Sequence, residues 1–123
     1  MTREMRRSQQ ALNKREITAV LLRNTGGVLA LTGVDGYPYA VPLSYVYADG
    51  KLYFHCANKG YKLDAIAHSA KASFCVIDRD KVVPESFLTE YISVIAFGEA
   101  HIVTDEEEKK RSIRSLAAKY GTG

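Results

Sequence analysis

Cysteine is scarce in this chain, and its spacing rules out the usual devices. The 2 cysteines, Cys56 and Cys75, lack the C-x-x-C spacing of a zinc or redox pair. Two thiols in 123 residues do not build the disulfide scaffold of a small secreted domain. Histidine is equally thin. His55, His68 and His101 share neither H-x-x-x-H nor H-E-x-x-H spacing, so no metal is expected. No apolar run approaches the about 20 residues of a membrane span, and no segment has the form of a signal peptide. A cytoplasmic, reduced protein with no membrane partner is the expectation. Internal repeats, low-complexity tracts and the Walker G-x-x-x-x-G-K-[ST] run are also missing.

A strong charge imbalance is absent too. Lys and Arg total 17 and Asp and Glu 14, a net of +3. The excess gathers in TREMRRSQQALNKRE, where Arg3, Arg6, Arg7, Lys14 and Arg15 outnumber two glutamates. A basic arm can touch nucleic acid, but a solvated or subunit-clasping arm explains it more simply, and no nucleic-acid partner is expected. What is present suits one soluble domain: 46% of residues are apolar and 25% charged, enough to bury a real but modest core.

The pattern reads as about five strands and three helices over a single domain, 1–123, after a loose arm over 1–12. NKREITAVLLRNTGG places Ile17, Val20 and Leu21 on one helical face and ends at Gly26-Gly27. VLALTG is a strand, and Val34-Asp35-Gly36 turns it. PYAVPLSYVYA reads as one long strand, with Pro42 marking an edge, a bulge or a bend because it cannot donate to a ladder. After Asp49-Gly50, KLYFHCA returns, and NKGYKLDAIAHS switches to helical period with Leu63, Ile66, Ala67 and Ala70 on one face. KASFCVID is a strand, RDKVVPESFLTE a polar loop, and YISVIAFGEAHIVT a long strand with a possible bulge at Gly98. Thr104 and Glu107 form a capping box for the last helix, whose stripe is Ile113, Leu116, Ala117 and Tyr120, with Gly121 as its cap. Hairpins dominate, so the fold class is mainly β with α and the sheet mostly antiparallel, and short strands at close spacing favour a small barrel over an open sheet.

LYFHCANKGYKLDAI carries the first chemical suggestion. A strand there hands over directly to a helix. A helix start leaves backbone N–H groups unpaired and carries partial positive charge, which suits a phosphate. Gly60 permits close backbone approach and Lys62 adds a full charge, with His55 and Cys56 at the strand end. Read blandly, Asn58 and Gly60 only cap and turn, and Lys62 is a solvated lysine. The second suggestion is VPLSYVY. Pro42 interrupts the ladder around Leu43 and Ser44, leaving backbone groups that could meet the polar edge of a flat ring such as a flavin, although on local pattern alone an ordinary edge strand with an awkward proline explains it more simply.

These features occur together and in order. GYPYAVPLSYVYADGKLYFHCANKGYKLDAI, followed by KASFCVIDRDKVVPESFLTEYISVIAFGEAHIV and DEEEKKRSIRSLAAKYG, resembles the FMN-binding split barrels of the pyridoxamine 5′-phosphate oxidase-like superfamily, and within it the 5-nitroimidazole-resistance (Nim) group. The resemblance covers nearly the whole chain and implies a small antiparallel split β-barrel with Greek-key topology and flanking helices. It implies that Val41, Pro42, Leu43 and Ser44 run along the isoalloxazine ring. It implies that His55 and Cys56 meet the ribityl-phosphate side, and that Tyr61 and Lys62 hold the phosphate. It implies a homodimer with FMN in the subunit clefts, the partner side including Ser93. By the same likeness His55 is the catalytic candidate, orienting or protonating a small acceptor, and a nitro compound is one such acceptor. Reducing equivalents would come from NADH or NADPH. The alternative is a module that holds a flavin, heme or deazaflavin without turnover. Members usually continue past the KYG helix with a further strand, which is expected to be absent here, with a consequence for the barrel edge.

The remaining residues read as structural. His68 is expected on the surface and His101 on a polar strand face. Cys75 is expected to be a buried apolar residue, and most of the 8 tyrosines to pack at the rim or between subunits.

Overall fold

The computed structural model describes residues 13–55, 60–83 and 88–121, with side chains outside 79–83 and 88–91. Residues 1–12, expected as a loose arm, and Pro84 of the expected polar loop lie outside the described residues. Among those described, three helices flank two antiparallel sheets. The elements are α1 (Lys14–Arg23), β1 (Gly26–Thr32), β2 (Pro38–Ser44), β3 (Val46–Ala48), β4 (Lys51–Tyr53), α2 (Tyr61–His68), β5 (Lys71–Val83), β6 (Leu88–Glu99) and α3 (Glu106–Tyr120). Four strands form one sheet in the order β2-β1-β5-β6, and β3 pairs with β4 in a second. The mainly β, antiparallel class with flanking helices is as expected. The described strands do not close into one ring.

The long strand expected over 38–48 is two. It breaks at Tyr45, where the chain passes from one sheet to the other. Tyr45 is fully buried, and its hydroxyl donates to the Leu21 carbonyl at 2.6 Å. Its N–H points at the Thr25 carbonyl (3.1 Å) and the Tyr120 hydroxyl (3.0 Å). That hydroxyl in turn lies 2.7 Å from the Thr25 carbonyl. Side chain and hydroxyl thus satisfy backbone groups that a ladder would otherwise take.

RDKVVPESFLTE is not a loop where it is described. Arg79 to Val83 and Leu88 to Glu90 continue β5 and β6 in register. Polar composition suggested a loop, but backbone pairing is indifferent to it once neighbouring residues are aligned. The irregularity lies between Ile77 and Arg79, not at Gly98. The residue set aside there is Asp78, whose carboxylate accepts from Arg23 Nε (2.8 Å) and Nη2 (2.6 Å) and from Asn24 Nδ2 (2.8 Å). The bulge aims an acid at the end of α1.

Gly26 and Gly27, expected to end the first helix, instead open β1. The helix stops earlier, at Asn24 in extended backbone. A Cβ on Gly27 would come within 2.5 Å of the Phe74 ring and 2.6 Å of the Cys75 carbonyl. That glycine is present for close strand approach.

Inward-facing side chains of the larger sheet form rows such as Val41–Leu29–Phe74–Ala96. With Val20, Leu21, Tyr45, Ala65, Val76 and Val94 they make the core. The first turn of α1 is a capping box between Asn13 and Glu16. The cap of α3 is Asp105, bonded to the Glu108 N–H at 2.9 Å, rather than Thr104. The expected stripe of α3 is also corrected: Ile113 is 51% exposed, and Ser112 is the residue buried. This helix docks through polar contacts. Glu108 accepts from the Tyr53 hydroxyl (2.7 Å) and Lys51 Nζ (3.0 Å), and Tyr120 reaches Tyr45. In α2 the buried residue is Ala65, while Ala67 is exposed.

No helix among the described residues is long and apolar enough to cross a membrane.

Candidate functional site

β2 lies at an edge of its sheet, which answers the position of Pro42. The missing N–H falls where strand pairing can tolerate it. Successive side chains alternate between faces. Val41 and Leu43 are half-buried and packed on the core, while Pro42 and Ser44 are exposed on the other face. A ligand meeting all four residues must therefore lie along the strand edge and its backbone, not flat on either face.

The start of α2 stands beside the same strand. Tyr61, its first residue, packs against Tyr39 of β2 with ring centroids 4.7 Å apart. Gly60 caps the helix with φ 137° and ψ 176° and supplies no side-chain bond to it. That conformation is cheap only for glycine. The first N–H groups of α2 accordingly have no side-chain acceptor at the cap. Lys62 follows, half-buried, and makes no ion pair among the described residues.

His55 is exposed, two residues past the end of β4. Cys56, Asn58 and Lys59 lie outside the described residues. Ser93 is exposed on β6, paired with Ile77. Because β1 and β5 separate β6 from β2, Ser93 stands about 14 Å from β2 at ordinary strand spacing. Within one chain it does not join the other candidates.

Pro42, Leu43 and Ser44 also line a shallow cleft of about 470 Å³ with Val28, Cys75 and Ile77. It opens on the outer face of the sheet, whose rows run Pro42–Val28–Cys75–Ile95 and Ala40–Ala30–Ser73–Phe97. Cys75 is half-buried on this face rather than in the core. Val28 (39% exposed), Ile77 (51%), Ile95 (56%) and Phe97 (68%) make the face apolar and open.

The other two histidines are peripheral. His68 is exposed in the last turn of α2. His101 lies beyond β6, not within it, and faces Glu99 Oε1 at 3.0 Å.

The turn at Asp35 was expected from the sequence, but its contact with Tyr61 was not. Asp35 Oδ1 accepts from the Tyr61 hydroxyl at 3.0 Å and from the Tyr37 N–H at 3.1 Å. These bonds hold the Asp35 carboxyl below the usual carboxylate range. Loss of solvent, with Asp35 beside it, pushes the Tyr61 hydroxyl up. No local pattern shows this contact, because it joins residues 26 apart in sequence.

Two antiparallel sheets joined at Tyr45 and flanked by helices are the fold this chain shares with solved split-barrel structures. The chain matches the pyridoxamine 5′-phosphate oxidase family over residues 13–123 and belongs to that family. No curated protein is a significant match. Among solved structures, the chain is similar to a candidate 5-nitroimidazole antibiotic resistance protein of Bacteroides thetaiotaomicron (TM-score 0.79, 21% identity, 92% of this chain and 69% of that one). It is similar to a FAD-binding protein of Mesorhizobium loti (TM-score 0.67, 29% identity, 89% and 75%). It is also similar to a FAD and heme binding protein of Mycobacterium smegmatis (TM-score 0.76, 22% identity, 92% and 56%).

Proposed function

We propose that this protein binds a flavin, FMN, along the free edge of β2 with its phosphate at the start of α2. The observation that carries the reading is the Tyr39–Tyr61 contact, which sets that helix start against that edge. From Tyr39 to Leu43 the strand advances about 13 Å. A ring beside Val41, Pro42, Leu43 and Ser44 and an anion beside Tyr61 and Lys62 therefore suit one elongated ligand. The residues fit the group: unshared strand backbone for the ring's polar edge, and uncapped N–H groups with a lysine for the phosphate.

The cofactor, when bound, would supply hydride and electron chemistry between a reduced nicotinamide and a small acceptor. A nitro compound of the nitroimidazole type is the candidate acceptor. His55, exposed past β4, would orient that acceptor or give it a proton, while Cys56 would border the ribityl side. A homodimer completes the site in this reading. The open apolar face would be covered by a second copy, which would also bring Ser93 to the first copy's cleft.

Titrating FMN while following its fluorescence tests binding directly. Lys62→Ala should weaken FMN by about ten- to a hundredfold, since a hydrogen bond to a charged group contributes about 1.5–3 kcal/mol. His55→Ala should spare FMN binding more than turnover. Mixing the flavin-loaded protein anaerobically with NADH or NADPH tests the reductase reading, which fails if the flavin keeps its colour. A second reading is a heme or flavin carrier without turnover, in which the same exposed His55 would hold the heme. A Soret band after heme addition, with no flavin uptake, would select it.

A further inference from the structure

Something must fix the start of α2, since its cap residue is a glycine with no side-chain bond to the helix. The turn between β1 and β2 does this from outside. It is closed on itself: Gly33 N–H donates to the Tyr37 carbonyl at 2.8 Å and Gly36 N–H to the Gly33 carbonyl at 3.0 Å. Asp35 stands in this turn with Oδ1 held by the Tyr37 N–H, and the same oxygen receives the Tyr61 hydroxyl. The fit is tight. A Cβ on Gly33 would lie 2.5 Å from the Tyr61 hydroxyl, 2.5 Å from the Tyr37 carbonyl and 2.9 Å from Asp35 Oδ1. The Tyr61 ring is held on its other side by Tyr39. Ring and hydroxyl together anchor the first helical residue at two points on the β1–β2 hairpin.

We propose that Asp35 and Tyr61 form a latch that positions the first turn of α2, so that Asp35 is a positioning residue for recognition of the ligand's phosphate. This rests on the placement of the phosphate at α2. The Tyr61 hydroxyl is committed to Asp35, so the residue serves the anion through its backbone N–H and through where it holds Lys62. Gly33 is required because any side chain there would displace the hydroxyl.

Comparing FMN with riboflavin, which has the same ring and no phosphate, isolates the effect. In full-length protein, Asp35→Ala and Tyr61→Phe should each weaken FMN by roughly three- to tenfold, the range for one hydrogen bond. Riboflavin affinity should stay unchanged. The double variant should be no weaker than either single one, because both remove the same contact. Asp35→Asn keeps an acceptor oxygen and should restore FMN affinity. Equal losses for FMN and riboflavin would mean general loosening and would overturn the proposal, as would unchanged FMN affinity in both single variants. If the unaltered protein bound FMN no better than riboflavin, the phosphate placement itself would fall, and the latch with it.

Discussion

Lys119 shows how little a single residue's chemistry is visible before its neighbours are known. In sequence it is one more base near the end of α3, where positive charge suits the helix dipole. In the structure its Nζ is buried without a hydrogen-bond partner among the described residues. It sits 4.1 Å from the centre of the Tyr45 ring, and burial holds its ammonium below its ordinary value of 10.5. The charged form is thus costlier folded than unfolded. That cost is whole at pH below the lowered value and fades as pH rises toward 10.5. A cation over a tyrosine ring recovers part of it, but three unmet donors outweigh one ring face. Lys119→Met keeps the stem and drops the charge, and should raise stability by about 1 kcal/mol, or a few degrees in Tm, near neutral pH. A melting curve that moved downward would show that the ring contact dominates. At this scale Pro42 and Gly60 were legible, because missing donors and absent side chains have local consequences. Asp35, Gly27 and Lys119 were not, because what they touch lies far along the chain.

At the scale of elements, helix periodicity located all three helices and hairpin turns located most strands. The errors share a cause. The stripe expected on α3 assumed that a helix docks by its apolar face, yet α3 is held by Glu108 to β4 and by Tyr120 to the crossing at Tyr45. The loop expected over 79–90 assumed that polar residues avoid strands. Partner strands decide both matters, and no window of sequence contains them. The Glu108 contact makes a pH prediction. The Tyr53 hydroxyl and Lys51 bond its charged form, which lowers its carboxyl from the ordinary 4.5. Its contribution is whole above that value and is lost as pH falls through the lowered one. Glu108→Gln should lower Tm near neutral pH and leave it nearly unchanged once pH has fallen below that lowered value, flattening the acid limb of the stability curve.

For the whole molecule, fold class and family were legible because linked motifs in the right order constrain a fold more than any motif alone. The open sheet face was not, since it is made of alternate residues from four strands that no single stretch displays. Contiguous apolar surface of this kind suits the proposed contact with a second copy. Phe97→Asp should leave the monomer folded, because the side chain is 68% exposed, and should convert the proposed dimer to monomer in light scattering. FMN affinity should fall with it if Ser93 serves the site from the second copy. A dimer that persisted would move the subunit contact elsewhere.

The Tyr120 hydroxyl meets backbone from residues 25 and 45 at once. The last turn of α3 is therefore a rivet through the point where the chain changes sheets. A protease cut just before Tyr120 would be felt 75 residues away, at the seam between the two halves of the fold, and the loosened strand would be the one that the ring is proposed to lie along.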